Sequence, residues 1–242
     1  MRTPGHLTTA AAGPSRRSLL GLGAGAGLAL ATGAAAPAVA RGTSSLAPAA
    51  RRAERVLRAG NARFVSGTQR HPHESLEWRR SLTKGQHPIA VVLGCADSRA
   101  TPELVFDEGL GDLFVVRSAG EVLDDAVIGS IEYAVEHLDV ALVVVLGHAD
   151  CGAVGATVDV VRGDGEATGF VSSLVRSIEP AVLSTPEQDD DVAFRAACVA
   201  EQARRTATIL QERSIVLREA VDRGARVVGA TYALDDGRVS WL

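Results

Sequence analysis

The chain has 242 residues, of which 46% are hydrophobic and 22% charged, and its formal net charge is −4. This length is typical of a single domain with a core of its own, and the apolar content excludes a disordered chain. Three cysteines are too few, and odd in number, for a disulfide scaffold. Slight acidity, with the arginines scattered along the chain, excludes nucleic acid as a partner.

Residues 1–40 have the composition of a targeting segment. The pair Arg16-Arg17 precedes an uncharged stretch rich in Ala and Gly, which ends at Ala40 in the pattern Ala-Val-Ala. This order of a charged region, an apolar region and a cleavage pattern predicts a signal peptide of twin-arginine type. The alternative is an uncleaved membrane anchor, because the stretch is long enough to span a bilayer. The weak hydrophobicity of Ala and Gly favours cleavage.

A twin-arginine signal resembles those of the bacterial export route for folded proteins. We therefore expect an exported protein, periplasmic or extracellular, that folds before export and has no membrane contact once the signal is removed. Residues 41–48 are small and polar and are interpreted as a flexible leader. The folded domain is predicted to span residues 49–242.

Short apolar runs predict five strands, of which the first four are buried on both faces. The last strand follows an Asp-Gly step, which is a hairpin signal. The predicted strands are 89–94, 113–116, 141–146, 226–232 and 238–241.

Helical patterns separate the strands and also precede them. An N-terminal arm over residues 49–64 is interrupted by Gly60-Asn61, and a long Ala-rich helix covers 189–212. Asp124-Asp125 and Ser214 are predicted caps, and Gly224 is a predicted helix stop. The alternation predicts one α/β domain with a mainly parallel central sheet, about four parallel strands plus a C-terminal antiparallel strand, flanked by helices.

Two of the predicted strands end in side chains that bind soft metals. Cys95 follows the first strand, and His148 and Cys151 follow the third. The carboxyl ends of parallel strands meet at one edge of a sheet, so we expect these three side chains to lie together. Two thiolates and an imidazole suit Zn²⁺, and three protein ligands leave a fourth position for water, as in catalytic zinc sites.

Asp97 and Arg99 follow the first of these cysteines and allow three interpretations. They could form an ordinary ion pair on a loop, which contributes little stability. Alternatively, Asp97 could accept a proton from water at the metal, oriented by Arg99. Asp97 could also bind zinc directly as a fourth ligand and close the site. The sequence does not separate these geometries.

The segments CADSR, from residue 95, and HADCGAV, from residue 148, resemble the corresponding motifs of the β-class carbonic anhydrases. The likeness continues in other segments and covers about residues 50–242, nearly the whole chain beyond the predicted signal. These further segments are 60–64, 102–107, 109–117 and 224–242.

The resemblance implies reversible hydration of CO2 to bicarbonate and a proton by attack of zinc-bound hydroxide. It implies one Zn²⁺ per chain on Cys95, His148 and Cys151, with Asp97 and Arg99 as the catalytic dyad.

The resemblance also assigns a substrate pocket and an assembly. Gln86 matches a substrate-orienting glutamine, Phe114 and Tyr133 match residues that line an apolar CO2 pocket, and Gly152 supplies a backbone contact. The family's basic unit is a homodimer, often paired into a dimer of dimers. Its N-terminal helices grip the neighbouring chain, and its cleft lies at the interface.

Two of the departures from the family pattern bear on the site. Glu121 stands where Asn is usual, so the hydrogen bonds that the family makes at this position do not carry over to this chain. Val92 is not the Trp of members whose metal is closed by a bicarbonate site, and this favours the open form. Cys198 belongs to no motif and is expected to pack in the interior. Alternative functions are a related zinc enzyme acting on CS2 or COS and a catalytically silent zinc-binding protein.

Overall fold

In a computed structural model that describes residues 45–242, five strands form one mixed sheet in the order β2-β1-β3-β4-β5. β1 is parallel to β2 and β3, β3 is parallel to β4, and β4 is antiparallel to β5. This arrangement confirms the predicted fold class. The strands are β1 Ala90–Gly94, β2 Leu113–Arg117, β3 Leu142–His148, β4 Arg226–Tyr232 and β5 Val239–Trp241.

Eight α-helices surround the sheet within the described residues. They are α1 Ala47–Val65, α2 Leu76–Ser81, α3 Pro102–Val105, α4 Asp125–His137, α5 Gly152–Arg162, α6 Val171–Ser184, α7 Asp191–Arg213 and α8 Ile215–Asp222. None of them is long and apolar enough to cross a bilayer. The predicted signal peptide, and residues 41–44 of the predicted leader, lie outside the described residues.

The two faces of the sheet bury alternate residues of the central strands. Val91 and Val143 belong to the cluster formed with α4, α7 and α8, whereas Val92 and Val144 belong to the cluster formed with α1 and α3. All residues of β1 and β3 are buried. Helices on both faces thus explain why these strands are continuous apolar runs in the sequence.

The predicted helix signals correspond to real caps. Asp124 accepts a hydrogen bond from Val127 N at 2.7 Å, and Ser214 accepts one from Leu217 N at 3.1 Å. Gly224 has a left-handed φ of 100°, which favours glycine after α8. Cys198 is fully buried among apolar side chains, as expected for a packing residue.

The Gly60-Asn61 pair does not interrupt α1, which continues through both residues. A Cβ atom on Gly60 would lie 1.7 Å from the carbonyl oxygen of Phe106, so the glycine permits close approach of α1 to the end of α3. Asn61 is buried and hydrogen-bonds to the chain near Val105 and near β5. Gly60 and Asn61 therefore hold α1 against the end of α3 and against β5. α1 also begins at Ala47, inside the predicted leader.

Helix α6 has no counterpart among the predicted elements. It contains Pro180 and several serines, which weaken a helical pattern. Its buried residues, including Ile178 and Val182, join the apolar cluster around Cys95 and Cys151. α6 therefore packs against the part of the core that contains these cysteines.

Candidate metal centre

Cys95, His148 and Cys151 meet at the carboxyl edge of the parallel sheet. Their ligand atoms all lie within 4.8 Å of one another, and all three residues are buried. Gly94, the last residue of β1, pairs with Leu146 of β3, so Cys95 and His148 leave the sheet side by side. The predicted convergence of these three side chains is confirmed.

His148 presents one ring nitrogen toward this cluster. Its Nδ1 lies 2.8 Å from the carbonyl oxygen of Ala149, and a proton donated there leaves Nε2 with a free lone pair. Nε2 is buried without a hydrogen-bond partner in the described part of the chain. A buried nitrogen in this state is typical of a metal ligand whose other nitrogen is held by the backbone.

The two sulfur atoms are 4.0 Å apart, close enough to share a proton. The Cys151 thiol hydrogen-bonds to Cys95 and lowers the pKa of Cys95 to about 4, with further help from His148 and the N–H of Gly120. The same contact, together with burial, raises the pKa of Cys151. The pair is thus prepared to carry negative charge, which a cation can compensate.

These residues fit a zinc ion by geometry and by chemistry. Two sulfurs at about 2.3 Å from a tetrahedral zinc ion are about 3.8 Å apart, close to the 4.0 Å between the Cys95 and Cys151 sulfurs. Zinc would also satisfy the otherwise unpartnered His148 Nε2. Two thiolates balance the charge of Zn²⁺, so the buried site stays neutral.

Asp97 lies beside the cluster and is held by Arg99. Arg99 donates its backbone N–H and Nε–H to Asp97 Oδ1, at 2.9 and 3.0 Å, and its Nη2 to Oδ2 at 2.8 Å. These bonds hold the pKa of Asp97 far below its ordinary value. Asp97 Oδ2 is 3.9 Å from His148 Nε2. Arg99 also donates to the carbonyl of Asp150 at 3.2 Å, linking the two motif loops.

Arg117 is a further residue of the site, and the sequence analysis assigned it no role in the chemistry. Its Nε donates to the carbonyl of Cys95 at 2.8 Å, and its Nη2 donates to the carbonyls of Asp97 at 2.6 Å and Ala100 at 3.1 Å. Arg117 therefore fixes the backbone of the CADSR loop. The sequence feature that could have indicated this role is the position of Arg117 at the end of β2, where it pairs with Gly94.

Glu121 is buried in the turn that follows β2. The preceding N–H, of Gly120, donates to Cys95 Sγ at 3.3 Å. Glu121 is only 1% exposed, and its Oε1 has no hydrogen-bond partner among residues 45–242. Burial, with a smaller contribution from the Cys95 sulfur, raises the pKa of Glu121 well above its ordinary value. The Glu121 carboxyl group therefore keeps its proton to a higher pH than an exposed glutamate does.

Comparison with known proteins identifies the family. The carbonic anhydrase family model matches residues 90–239. Carbonic anhydrase 2 of Mycobacterium tuberculosis is 45% identical over 185 residues, covering 76% of this chain and 88% of that protein. The carbonic anhydrase of Mycolicibacterium smegmatis is 46% identical over 190 residues, covering 76% and 89%. The chain belongs to the β-class carbonic anhydrase family.

Solved structures agree with this assignment. The β-carbonic anhydrase CafA of Aspergillus fumigatus matches with a TM-score of 0.61 at 25% identity, covering 69% of this chain and 80% of that one. A tetrameric β-carbonic anhydrase of Sordaria macrospora shares the fold with a TM-score of 0.61 at 23% identity, covering 79% and 97%. As a carbonic anhydrase, the chain is a zinc-dependent enzyme that hydrates CO2 reversibly to bicarbonate and a proton.

The predicted pocket residues are only partly brought together in one chain of this carbonic anhydrase. Gly152 directly follows Cys151 and is exposed at the start of α5. Phe114 and Tyr133 lie near each other, with ring centroids 6.4 Å apart. Phe114 pairs with Val91, however, so it lies toward the amino end of the sheet.

The glutamine of that predicted pocket lies at the same end. Gln86 is exposed in the loop before β1. The described chain therefore places three of the four predicted pocket residues, Gln86 among them, away from the metal edge.

Proposed function

We propose that this β-carbonic anhydrase works with an open zinc site in which Asp97 and Arg99 are the catalytic dyad. The observation that carries the proposal is the engagement of both Asp97 carboxylate oxygens by Arg99. A carboxylate held in this way is directed at the guanidinium group and is not free to close the metal site as a fourth ligand. Cys95, His148 and Cys151 then hold the metal and leave one position open.

The dyad has a specific task in hydration. Zinc, when bound, lowers the pKa of a water molecule at its open position and polarises it for attack on CO2. Asp97 Oδ2 lies 3.9 Å from His148 Nε2 and would accept a hydrogen bond from a water molecule bound there. Because Arg99 lowers the pKa of Asp97, the carboxylate stays ionised and would orient that water as a hydrogen-bond acceptor. Arg99 would also supply positive charge beside the reaction site.

We further propose that the functional assembly is a homodimer or a dimer of dimers. β2 is an edge strand, and Tyr133 beside it is 49% exposed. An exposed edge strand with apolar side chains is a natural surface for a second copy. Two-fold pairing there would let the Gln86, Phe114 and Tyr133 of one chain line the metal cleft of the other.

The third component of the proposal is export through the twin-arginine route. The support is the order of features in residues 1–40, with Arg16-Arg17 ahead of the apolar stretch. Replacing both arginines by lysine should retain the protein in the cytoplasm, whereas the parent chain accumulates outside the inner membrane. Unchanged secretion of the double variant would overturn this component.

Stopped-flow CO2 hydration on the zinc-loaded protein tests the catalytic proposal. Asp97→Asn should lower kcat by about 100-fold or more, because the neutral amide is a weaker hydrogen-bond acceptor and loses the ion pair with Arg99, while zinc stays at one per chain. Asp164→Asn is the matched control, since Asp164 is exposed in the loop after α5. Equal activity of the Asp97 and Asp164 variants would remove Asp97 from the mechanism. Failure of the parent protein to exceed the uncatalysed rate would remove the enzyme function.

A further inference from the structure

Two adjoining cavities lie along α1, at the opposite end of the sheet from the metal centre. One cavity, of about 370 Å³, includes Pro88 and Ala141, which immediately precede the region where β1 and β3 begin. The other, of about 390 Å³, extends toward the loop after α1. The two cavities share Arg52, Val56 and Glu108 in their walls. Together they offer room for a small molecule.

Three arginines converge on the second cavity without a partner. Arg52 and Arg55 lie on α1 and Arg70 lies on the following loop, and all three are exposed. Their guanidinium groups make no ion pair or hydrogen bond in the portion of the chain that the structure describes. Arg63, which also lines this cavity, is by contrast neutralised by the buried Asp107. A concentration of uncompensated positive charge in an acidic chain favours an anionic ligand.

Glu108 adds a hydrogen-bond acceptor to the same walls. It is half-buried, lines both cavities, and its carboxyl group has no hydrogen-bond partner within residues 45–242. Burial and the neighbouring charges of Asp112 and Asp107 raise the pKa of Glu108 to about 7. A carboxyl group in a cleft with such a shift is a recognised mark of a binding site. It can accept a hydrogen bond from a ligand hydroxyl.

We propose that this cavity binds a phosphorylated small molecule, with the phosphate on Arg52, Arg55 and Arg70 and a hydroxyl group on Glu108. Guanidinium groups present paired N–H donors that match phosphate oxygens, and three of them outweigh the charge of one carboxylate. A phosphate dianion would neutralise the remaining charge. The cavity, at about 390 Å³, exceeds what a bare phosphate fills, and Val56, with other apolar side chains, would contact the carbon skeleton.

Isothermal titration of the zinc-loaded full-length chain with glycerol 3-phosphate tests this site. We expect one saturable site per chain, and weaker binding of inorganic phosphate, which cannot reach both the arginines and Glu108. Arg52→Ala and Arg70→Ala should each weaken binding by about tenfold or more, because each removes a charged hydrogen-bond donor. Arg205→Ala, an exposed arginine of α7, is the matched control and should leave the affinity unchanged.

Three results would overturn the proposal. One is the absence of saturation up to about 10 mM, where a millimolar site would be mostly filled. Another is equal affinity of the Arg52 and Arg205 variants. The third is a change in the oligomeric mass of the Arg52→Ala variant while its affinity for glycerol 3-phosphate stays unchanged. That result would identify the surface as a subunit contact. The site does not depend on the proposed mechanism, because none of these readouts measures CO2 hydration.

Discussion

Asn61 and Gly237, 176 residues apart in the chain, are joined by a hydrogen bond of 2.8 Å from Asn61 Nδ2 to the Gly237 carbonyl. The same amide donates to the carbonyl of Val105 at 3.1 Å, and Asn61 Oδ1 accepts from Val239 N at 2.9 Å. One buried side chain thus connects α1, α3 and the C-terminal hairpin. The connection spans most of the described chain.

Replacement of Asn61 should therefore destabilise the whole domain. Asn61→Leu leaves two carbonyls and one backbone N–H without partners, so we expect a loss of about 2–4 kcal/mol in the free energy of unfolding. Urea denaturation followed by circular dichroism measures it. Gln211→Ala, which removes one hydrogen bond within α7, should cost less than about 1 kcal/mol. Similar losses in both variants would show that Asn61 does not join the three elements.

The predictable part of the fold is the part that local pattern determines. β1 and β3 are apolar runs because helices cover both faces of the sheet, and their burial made them visible in the sequence. The same strands carry Cys95 and His148 at their carboxyl ends, so the metal ligands could be predicted together from topology.

What escaped prediction depends on contacts between distant segments. Gly60 is unfavourable in an isolated helix, and only its contact with Phe106 explains why α1 continues there. Arg117 acts through carbonyls of a loop 17 to 22 residues earlier, which no spacing rule indicates. The pocket residues Phe114 and Tyr133 match a family pattern, but one chain alone does not bring them to the metal.

Measured zinc content should distinguish the two ligand cysteines, Cys95 and Cys151, from Cys198. Cys95→Ser and Cys151→Ser each remove a thiolate ligand, so we expect most of the bound zinc to be lost, as measured by atomic absorption after dialysis. Cys198→Ala is the matched control, because Cys198 is buried in the same apolar cluster but is not part of the ligand group. It should retain one zinc per chain. Zinc loss in the Cys198 variant as well would contradict the assignment of ligands.

Glu121 should make the stability of the domain fall as pH rises. A carboxyl group whose pKa is higher in the folded than in the unfolded chain stabilises the fold. This stabilisation is complete at pH values below the unfolded pKa, about 4.3. Its contribution is lost as pH rises toward the folded pKa, at up to about 1.4 kcal/mol per pH unit. The raised pKa of buried Glu121 gives this sign.

Glu121→Gln tests that dependence, because the amide stays neutral at every pH. The difference in unfolding free energy between variant and parent, both zinc-loaded, should grow in favour of the variant as the pH rises above about 5. Urea denaturation at each pH measures it. Glu166→Gln, in the exposed loop after α5, should give curves parallel to the parent. Parallel curves for Glu121→Gln would mean that the carboxyl group is not held neutral in the folded chain.

Two helical glycines should respond oppositely to alanine. On α1, a Cβ at Gly60 would collide with the carbonyl oxygen of Phe106 at 1.7 Å, and backbone cannot move aside as a side chain does. Gly60→Ala should therefore cost about 2–4 kcal/mol of unfolding free energy. On α4, a Cβ at Gly129 meets nothing within 4 Å, so Gly129→Ala should stabilise by about 0.5–1 kcal/mol through lower backbone entropy. Stabilisation by both substitutions in urea denaturation would mean that α1 does not dock against α3. Because that contact holds α1 against the sheet face opposite α4, α7 and α8, the pair of variants also tests the packing of that face.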